Sequence, residues 1–142
     1  MLELTGTPIS GCGIASETIA LQKPFLMRWF PEIEHCHIGT INLRLNAGLV
    51  IANPDIRTDA FQWSASWTEY IPPESFCLTQ FEFDVSGGAS GVTGWVYEAS
   101  WSVHRSDVTM IEFLAPFTPY QQTDVFSLRF REPNKCQDLY YL

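Results

Sequence analysis

Basic residues are scarce in this sequence. Eight Lys and Arg stand against 16 Asp and Glu, which gives a formal net charge of -8 over 142 residues. Proteins that bind a nucleic-acid backbone or an anionic membrane need a basic stripe to displace counterions. The charge balance therefore argues against both as partners, whereas a small phosphorylated ligand needs only a few local donors.

Long hydrophobic runs are also missing. No apolar stretch approaches the roughly 20 residues that a membrane-spanning helix requires, and the N-terminus begins as an ordinary polar strand rather than a targeting segment. We expect a cytoplasmic protein with no membrane partner. With 46% hydrophobic residues, the chain is long enough to bury one core, so residues 1–142 are predicted to form a single domain.

Cysteine is sparse and widely spaced. The four cysteines form no C-x-x-C pair: Cys12, Cys36, Cys77 and Cys136. Free thiols in a reducing compartment are therefore expected. The run from His35 to His37 contains metal-ligand residue types, but adjacent strand residues point to opposite faces, so a closed zinc site is not favoured.

Strand signals dominate the rest of the chain. Short β-branched or aromatic runs recur between turn residues, and within 80–85 and 126–130 they alternate apolar and polar side chains. We predict a mostly β protein, a barrel or sandwich, with strands at 40–45, 49–52, 76–85, 94–103, 110–114 and 125–131. Ser86–Gly91 is predicted to be a loop.

Helical signal is confined to about Ser16–Phe30. Ser16 is a candidate N-cap, and Pro31 would stop the segment. Pro24 predicts a broken or late-starting helix. The core-facing residues are expected to be Ile19, Phe25, Leu26 and Trp29.

Two segments carry candidate chemistry. A glycine-rich turn at residues 10–15 could expose backbone N–H groups to a phosphate, although paired glycines are more often a hairpin turn or bulge. In the strand at 40–45, Thr40, Asn42 and Arg44 share one face. A hydroxyl and an amide oxygen two residues apart suit Mg²⁺, and the alternative is a solvated polar edge.

Together these motifs resemble the CTP-dependent riboflavin kinases of archaea. That family has a turn of the form S-G-x-G-x-[GA], a short helix and then a G-T-[LI]-N-[LV] strand. This chain has Ser10-Gly11-Cys12-Gly13-Ile14-Ala15 and Gly39-Thr40-Ile41-Asn42-Leu43 in the same order. Further landmarks are Arg105-Ser106 and the late strand Ile111-Glu112-Phe113-Leu114-Ala115-Pro116.

The resemblance implies a cradle-loop β-barrel with one short helix that transfers the γ-phosphoryl group of CTP to riboflavin, giving FMN. Thr40 and Asn42 would bind Mg²⁺, and Ser106 and Glu112 would contact the flavin, with Glu112 also orienting the attacking hydroxyl or acting as its base. Nucleotide contacts would come from Ser10, Gly11, Cys12, Gly13, Ile14, Ala15, Phe117, Thr118 and Tyr120.

The segment after Pro116 departs from the family, because it lacks the Arg that usually lies there and has Tyr120 instead. Arg44 or Lys23 could replace that charge. Two alternatives to a kinase stay open: a non-catalytic flavin- or nucleotide-binding module, and a structural or oligomer-forming domain. The aromatic-rich middle, 61–83, is expected to be core packing, with stacking on a planar ligand as the alternative.

Overall fold

The chain folds around a closed antiparallel β-barrel. The computed structural model describes residues 1–9, 15–64, 72–100, 107–131 and 136–139. Six strands run in the order β5–β6–β7–β2–β1–β8, and β8 pairs with β5 to close the ring. The strands are β1 Leu2–Pro8, β2 Ile41–Leu45, β5 Phe76–Val85, β6 Val92–Ala99, β7 Met110–Leu114 and β8 Phe126–Phe130. The predicted mostly β barrel with a short helix is confirmed.

Three further strands lie outside the ring. β3, Gly48–Ile51, pairs with β9, Cys136–Leu139, as a separate two-stranded sheet. β4, Ile56–Arg57, extends the barrel sheet beside the first half of β5. The sequence pattern predicts β3 within one or two residues but neither β4 nor β9, because β4 has only two residues and β9 contains no β-branched or aromatic residue.

The barrel interior follows from alternation along the strands. Phe81, Phe83 and Val85 point inward from β5. Phe126, Leu128 and Phe130 do so from β8, and Leu43 and Leu45 from β2. Successive side chains of a strand point to opposite faces, so the polar residues between these positions lie on the outside. The alternation predicted for 80–85 and 126–130 is confirmed.

Helix α1, Ala15–Leu26, connects the glycine-rich segment to the barrel wall. The sequence suggested that Pro24 breaks or delays the helix. The helix instead continues through Pro24, because this proline lies in the last turn, where it removes only one intrahelical hydrogen bond. Beyond Leu26 the chain continues in turns to Phe30, and a 3-10 helix follows at Pro31–His35. Ile19 and Leu26 are buried as predicted, whereas Phe25 is 42% exposed.

A second apolar cluster fills the space between α1 and the outer face of β5, β6 and β7. Trp63 and Phe76 belong to it, and the Trp63 indole N–H donates to the buried Glu74 carboxylate at 2.9 Å. Phe81 and Phe83 belong instead to the barrel interior. For these four aromatic residues of the middle segment the core-packing interpretation is confirmed, while Trp67 and Tyr70 lie outside the described residues.

The structure also bears on membranes and thiols. Within the described ranges, no helix is both long and apolar enough to cross a bilayer. Cys36 and Cys77 are free thiols, and both are partly buried.

Candidate active site

Three residues that the family resemblance singles out meet on the outer face of the barrel. Strands β2 and β7 pair so that Asn42 lies opposite Glu112. Thr40, just before β2, donates a hydrogen bond from Oγ1 to Glu112 Oε2 at 3.1 Å across 72 residues of sequence. The pairing of these two strands therefore places a hydroxyl, an amide and a carboxylate side by side.

Asn42 is the unusual member of this group. It is only 7% exposed, so the solvated-edge alternative fails at this position. Its amide oxygen Oδ1 is buried and has no hydrogen-bond partner among the described residues. An unsatisfied buried polar atom costs stability of about 1–3 kcal/mol, so its presence calls for an explanation such as an ion or a ligand.

The glycine-rich segment begins beside this group. The backbone N–H of Ile9 donates to the carbonyl oxygen of Asn42 at 3.0 Å, which ties the end of β1 to β2. Ser10, Gly11, Cys12, Gly13 and Ile14 lie outside the described residues, and of Ala15 only the backbone, which begins α1, is described. The described residues on either side of it are therefore Ile9, bonded to Asn42, and Ala15, the first residue of α1.

Tyr97 and Gln22 lie close to this group, and sequence reasoning missed both. The Tyr97 hydroxyl on β6 donates to Gln22 Oε1 on α1 at 2.5 Å, and both side chains are buried. Burial raises the pKa of Tyr97 well above its ordinary value, and the nearby Glu112 and Glu74 carboxylates raise it further. The only sequence signal was that Gln22 lies on the same helical face as Ile19 and Leu26.

A cavity opens next to Glu112 because β6 and β7 separate. Among the described residues they pair at Trp95 with Leu114 and at Val96 with Phe113. Beyond these pairs, a cavity of about 160 Å³ lies between Tyr97–Ala99, Met110–Glu112 and β3. Its wall is mostly apolar but also includes three carboxylate residues, Glu98, Asp107 and Glu112. Ser106, the other predicted flavin contact, lies outside the described residues.

The segment after β7 lies beside the residues that precede β2. The His37 N–H donates to the Ala115 carbonyl at 2.8 Å, and the His37 ring packs edge-on against Phe117 at 5.5 Å. Phe117 is 73% exposed, whereas Thr118 is buried and donates its hydroxyl proton to the Pro116 carbonyl. Tyr120 packs against Phe126. Of the three predicted nucleotide contacts here, Phe117 is the most available to a ligand.

Both basic residues proposed to replace the missing Arg lie beside an acidic residue. Arg44 pairs with Asp107 at 3.1 Å and donates to Thr109. Lys23 lies 3.7 Å from Glu34. Both pairs are partly exposed to solvent, where such bridges contribute little to stability.

The segment His35–His37 does not gather into a metal centre. No group of three or more His, Cys, Asp or Glu residues is arranged to hold an ion within the parts of the chain described. Burial and the neighbouring Glu32 raise the pKa of Cys36 to about 11. Its thiol is therefore protonated near neutral pH, which makes it a poor ligand and a poor nucleophile.

The donor set at Thr40 and Asn42 fits Mg²⁺. Neutral oxygen ligands that leave most of the coordination shell to water and substrate phosphates are typical of magnesium sites. The buried Asn42 Oδ1 without a described partner is an acceptor of this kind, and Glu112 supplies negative charge next to it. The site thus combines a candidate cation position, a carboxylate and a cavity.

No protein-family model matches the chain, and no curated protein matches it significantly. The class that the structure defines is therefore that of the fold, a closed six-stranded antiparallel barrel with one short helix among its described residues.

Proposed function

We propose that this protein is a nucleotide-dependent kinase that transfers the γ-phosphoryl group of CTP to riboflavin or a similar small hydroxylated substrate. One observation carries the proposal. Thr40, Asn42 and Glu112 belong to motifs about 70 residues apart, and strand pairing brings them into one group. Short motifs that resembled a family only by chance would not be expected to meet in the folded protein.

Thr40 and Asn42 would hold Mg²⁺ on the outer face of β2. When bound, the ion would neutralise charge on the phosphate oxygens of the nucleotide. The hydrogen bond to Glu112 uses the only proton of the Thr40 hydroxyl, so the lone pairs of this oxygen are left for a cation. Asn42 Oδ1 would gain the partner that it lacks among the described residues.

Glu112 would act on the acceptor. Glu112 lines the cavity between β6 and β7. A cavity of about 150 Å³ is on the scale of one aromatic ring, so it would take one end of a three-ring flavin and leave the rest outside. A planar ring held there would bring its attached hydroxyl chain toward the carboxylate. Glu112 would then orient the attacking hydroxyl or accept its proton as the bond from that oxygen to the γ-phosphorus forms and the bond from the γ-phosphorus to CDP breaks.

The donor nucleotide would lie on the other side of the metal. Ile9, the residue before the glycine-rich segment in sequence, donates its N–H to the carbonyl oxygen of Asn42. Phe117, exposed and held beside His37, offers a flat apolar surface on which a base could stack. Catalysis in such a site would depend mainly on positioning and charge neutralisation.

A second candidate is a module that binds flavin or nucleotide without transferring phosphate. The ion pairs of Arg44 with Asp107 and of Lys23 with Glu34 favour it. Phosphoryl transfer usually needs positive charge beyond the metal at the transition state. A binding module does not.

Thermal unfolding with ligands tests both candidates, because a ligand that binds the native state must stabilise it. The purified protein is heated with riboflavin, FMN, CTP or ATP, each with and without Mg²⁺. The kinase predicts a magnesium-dependent shift with CTP that riboflavin increases, followed by FMN formation in a direct assay. A shift without FMN formation supports the binding module, and no shift with any nucleotide overturns the kinase.

A further inference from the structure

Arg44 lies on the same face of β2 as Asn42. The two residues are two positions apart, and alternate residues of a strand point to the same side. In the pairing of β2 with β7, Arg44 lies opposite Met110, next along this face from the pair of Asn42 and Glu112. About 7 Å of strand separates Arg44 from Asn42, a distance that an arginine side chain is long enough to span.

The Arg44 guanidinium group is held by the turn before β7. Its Nη1 donates to Asp107 Oδ2 at 3.1 Å and to Thr109 Oγ1 at 2.7 Å. Asp107 also accepts from the Thr109 hydroxyl and backbone N–H, and these bonds lower the pKa of Asp107, so the carboxylate stays ionised. Asp107 is one of the residues that line the cavity between β6 and β7. Arg44 therefore reaches from the strand that carries Asn42 to a residue of the cavity wall.

The ion pair uses only part of the guanidinium group. Both bonds of Arg44 come from Nη1, whereas an arginine has five N–H donors in a rigid fork. The side chains of Arg44 and Asp107 are 49% and 41% exposed, and such a pair contributes little to stability. Little is therefore lost when a ligand takes the place of Asp107. A phosphate group would accept two parallel bonds from the same fork.

The other described basic residues lie farther from this face in the strand order. Arg44 is the only Lys or Arg on β2 or β7, the strands that carry Asn42 and Glu112. In the part of the chain that the structure describes, the remaining basic residues are Lys23 on α1, Arg28 in the turn after it, Arg57 on β4, Arg129 on β8 and Arg131 directly after β8. Phosphoryl transfer usually needs positive charge beyond the metal, and Arg44 is the residue placed to supply it.

We infer that Arg44 is a catalytic residue that binds the phosphoryl group as it passes from CTP to the acceptor. The inference rests on the proposed function, since it names the cation that acts in the same reaction. The acceptor oxygen forms a bond to the γ-phosphorus, the bond from that phosphorus to CDP breaks, and the hydroxyl proton goes to Glu112. Arg44 forms no covalent bond and gives up no proton. Its N–H groups donate to the non-bridging phosphate oxygens and stabilise their charge.

Kinetics of Arg44→Gln test the inference, because glutamine keeps a polar side chain on β2 and removes the charge. Removal of one donor that stabilises a transition state commonly costs about 10²- to 10³-fold in kcat. We expect a fall of this order in FMN formation, with an unchanged KM for riboflavin. Arg44→Lys keeps the charge but loses the fork, so its kcat should lie between the two. An Arg44→Gln variant with the kcat of the unaltered protein overturns the inference.

Nucleotide affinity provides a readout that a purely structural role would not produce. The γ-phosphoryl group is present in CTP and absent from CDP. In titrations with Mg²⁺, Arg44→Gln should raise the Kd of CTP about tenfold or more, because a bond to a charged group is lost, and should leave the Kd of CDP unchanged. A loss of affinity shared equally by CTP and CDP overturns the inference.

Arg131→Gln is the matched control. Arg131 donates to Glu82 at 2.8 Å, in a pair whose side chains are 63% and 31% exposed. The change removes the same charge and breaks a comparable ion pair away from β2 and β7, so kcat and the Kd of CTP should stay unchanged. Lys23→Gln tests the rival cation. A fall of kcat in Lys23→Gln as large as that in Arg44→Gln overturns the assignment to Arg44.

The unaltered protein separates this inference from the proposed function. If it forms FMN and Arg44→Gln does so at the same rate, the kinase stands and the inference alone fails. If it binds CTP but forms no FMN, or binds no nucleotide at all, the kinase fails and the role of Arg44 fails with it. Without ligand, Arg44→Gln should melt close to the unaltered protein, because the exposed pair contributes little to stability.

Discussion

Thr40 and Glu112 share one hydrogen bond in which the hydroxyl donates and the carboxylate accepts, at 3.1 Å. The direction of this bond matters. A hydroxyl has one proton and two lone pairs, so a threonine that donates to a carboxylate presents its lone pairs elsewhere. The bond with Glu112 thus leaves the lone pairs of the Thr40 oxygen available, as the proposed magnesium site requires.

Thr40→Val should remove this ligand, whereas Thr40→Ser should keep it. Disturbing the surroundings of a metal ligand commonly costs on the order of 10- to 100-fold in metal affinity, so removal of the oxygen should cost at least as much. The magnesium-dependent part of the thermal shift with CTP is the measurement. A valine variant that responds to Mg²⁺ like the unaltered protein would contradict the assignment.

Asn42→Leu should separate function from stability. The Asn42 Oδ1 atom is buried without a described partner, so its removal relieves a cost rather than breaking a bond. We expect the ligand-free variant to melt at the same temperature as the unaltered protein or higher, and to lose the response to CTP with Mg²⁺. A large loss of stability without ligand would show that Asn42 is structural.

Glu112→Gln should keep the shape of the site and remove its charge. The glutamine oxygen can still accept from Thr40, but the side chain no longer takes up a proton near neutral pH. General-base catalysis commonly contributes 10²- to 10⁴-fold, so kcat for FMN formation should fall by a factor on this order. Riboflavin affinity, measured by quenching of its fluorescence, should change little. Retained turnover would exclude Glu112 as the base.

Acid stability should depend on Asp84. This carboxylate accepts from Arg129 at 2.8 and 3.2 Å and from the Gly91 N–H at 2.7 Å, and these bonds lower its pKa to about 2. A lowered pKa stabilises the fold above the unfolded value, near 3.9, and this contribution disappears as the pH falls toward 2.

Urea unfolding of Asp84→Asn at a series of pH values measures this contribution. The variant should be less stable than the unaltered protein above about pH 4, and the difference should shrink as the pH falls toward 2 and vanish only below that value. Asp59→Asn removes the same charge from an exposed position and serves as the control. A difference that does not vary with pH would contradict the pairing.

Gly94→Ala should destabilise the barrel. A Cβ atom at Gly94 would lie 2.9 Å from Phe81 Cζ and 3.2 Å from Phe113 Cδ2 in the interior. Overpacking of a core typically costs about 1–3 kcal/mol, which should appear as a lower urea midpoint. Gly88→Ala is the control, since a Cβ there meets nothing within 4 Å. Equal midpoints for the two variants would show that the interior accommodates the methyl group.

The sequence by itself determined most strands of the barrel and their faces. Alternation within β5 and β8 depends on neighbouring residues and is visible without any partner strand. The same rule placed Leu43 and Leu45 inside and Asn42 and Arg44 on the opposite face. The prediction that Phe25 faces the core, which came from the helical pattern, was wrong. Helix α1 buries the stripe of Ile19, Gln22 and Leu26 and leaves Phe25 at its edge.

The tertiary structure decided which of these residues meet. No local pattern states that β2 pairs with β7 or in which register, yet that register alone brings Asn42 opposite Glu112. The bond between Tyr97 and Gln22 depends in the same way on where α1 lies on the barrel. The cavity exists because β6 leaves β7 after two residue pairs. Such contacts depend on the order and separation of whole strands, which the packing of both cores determines together.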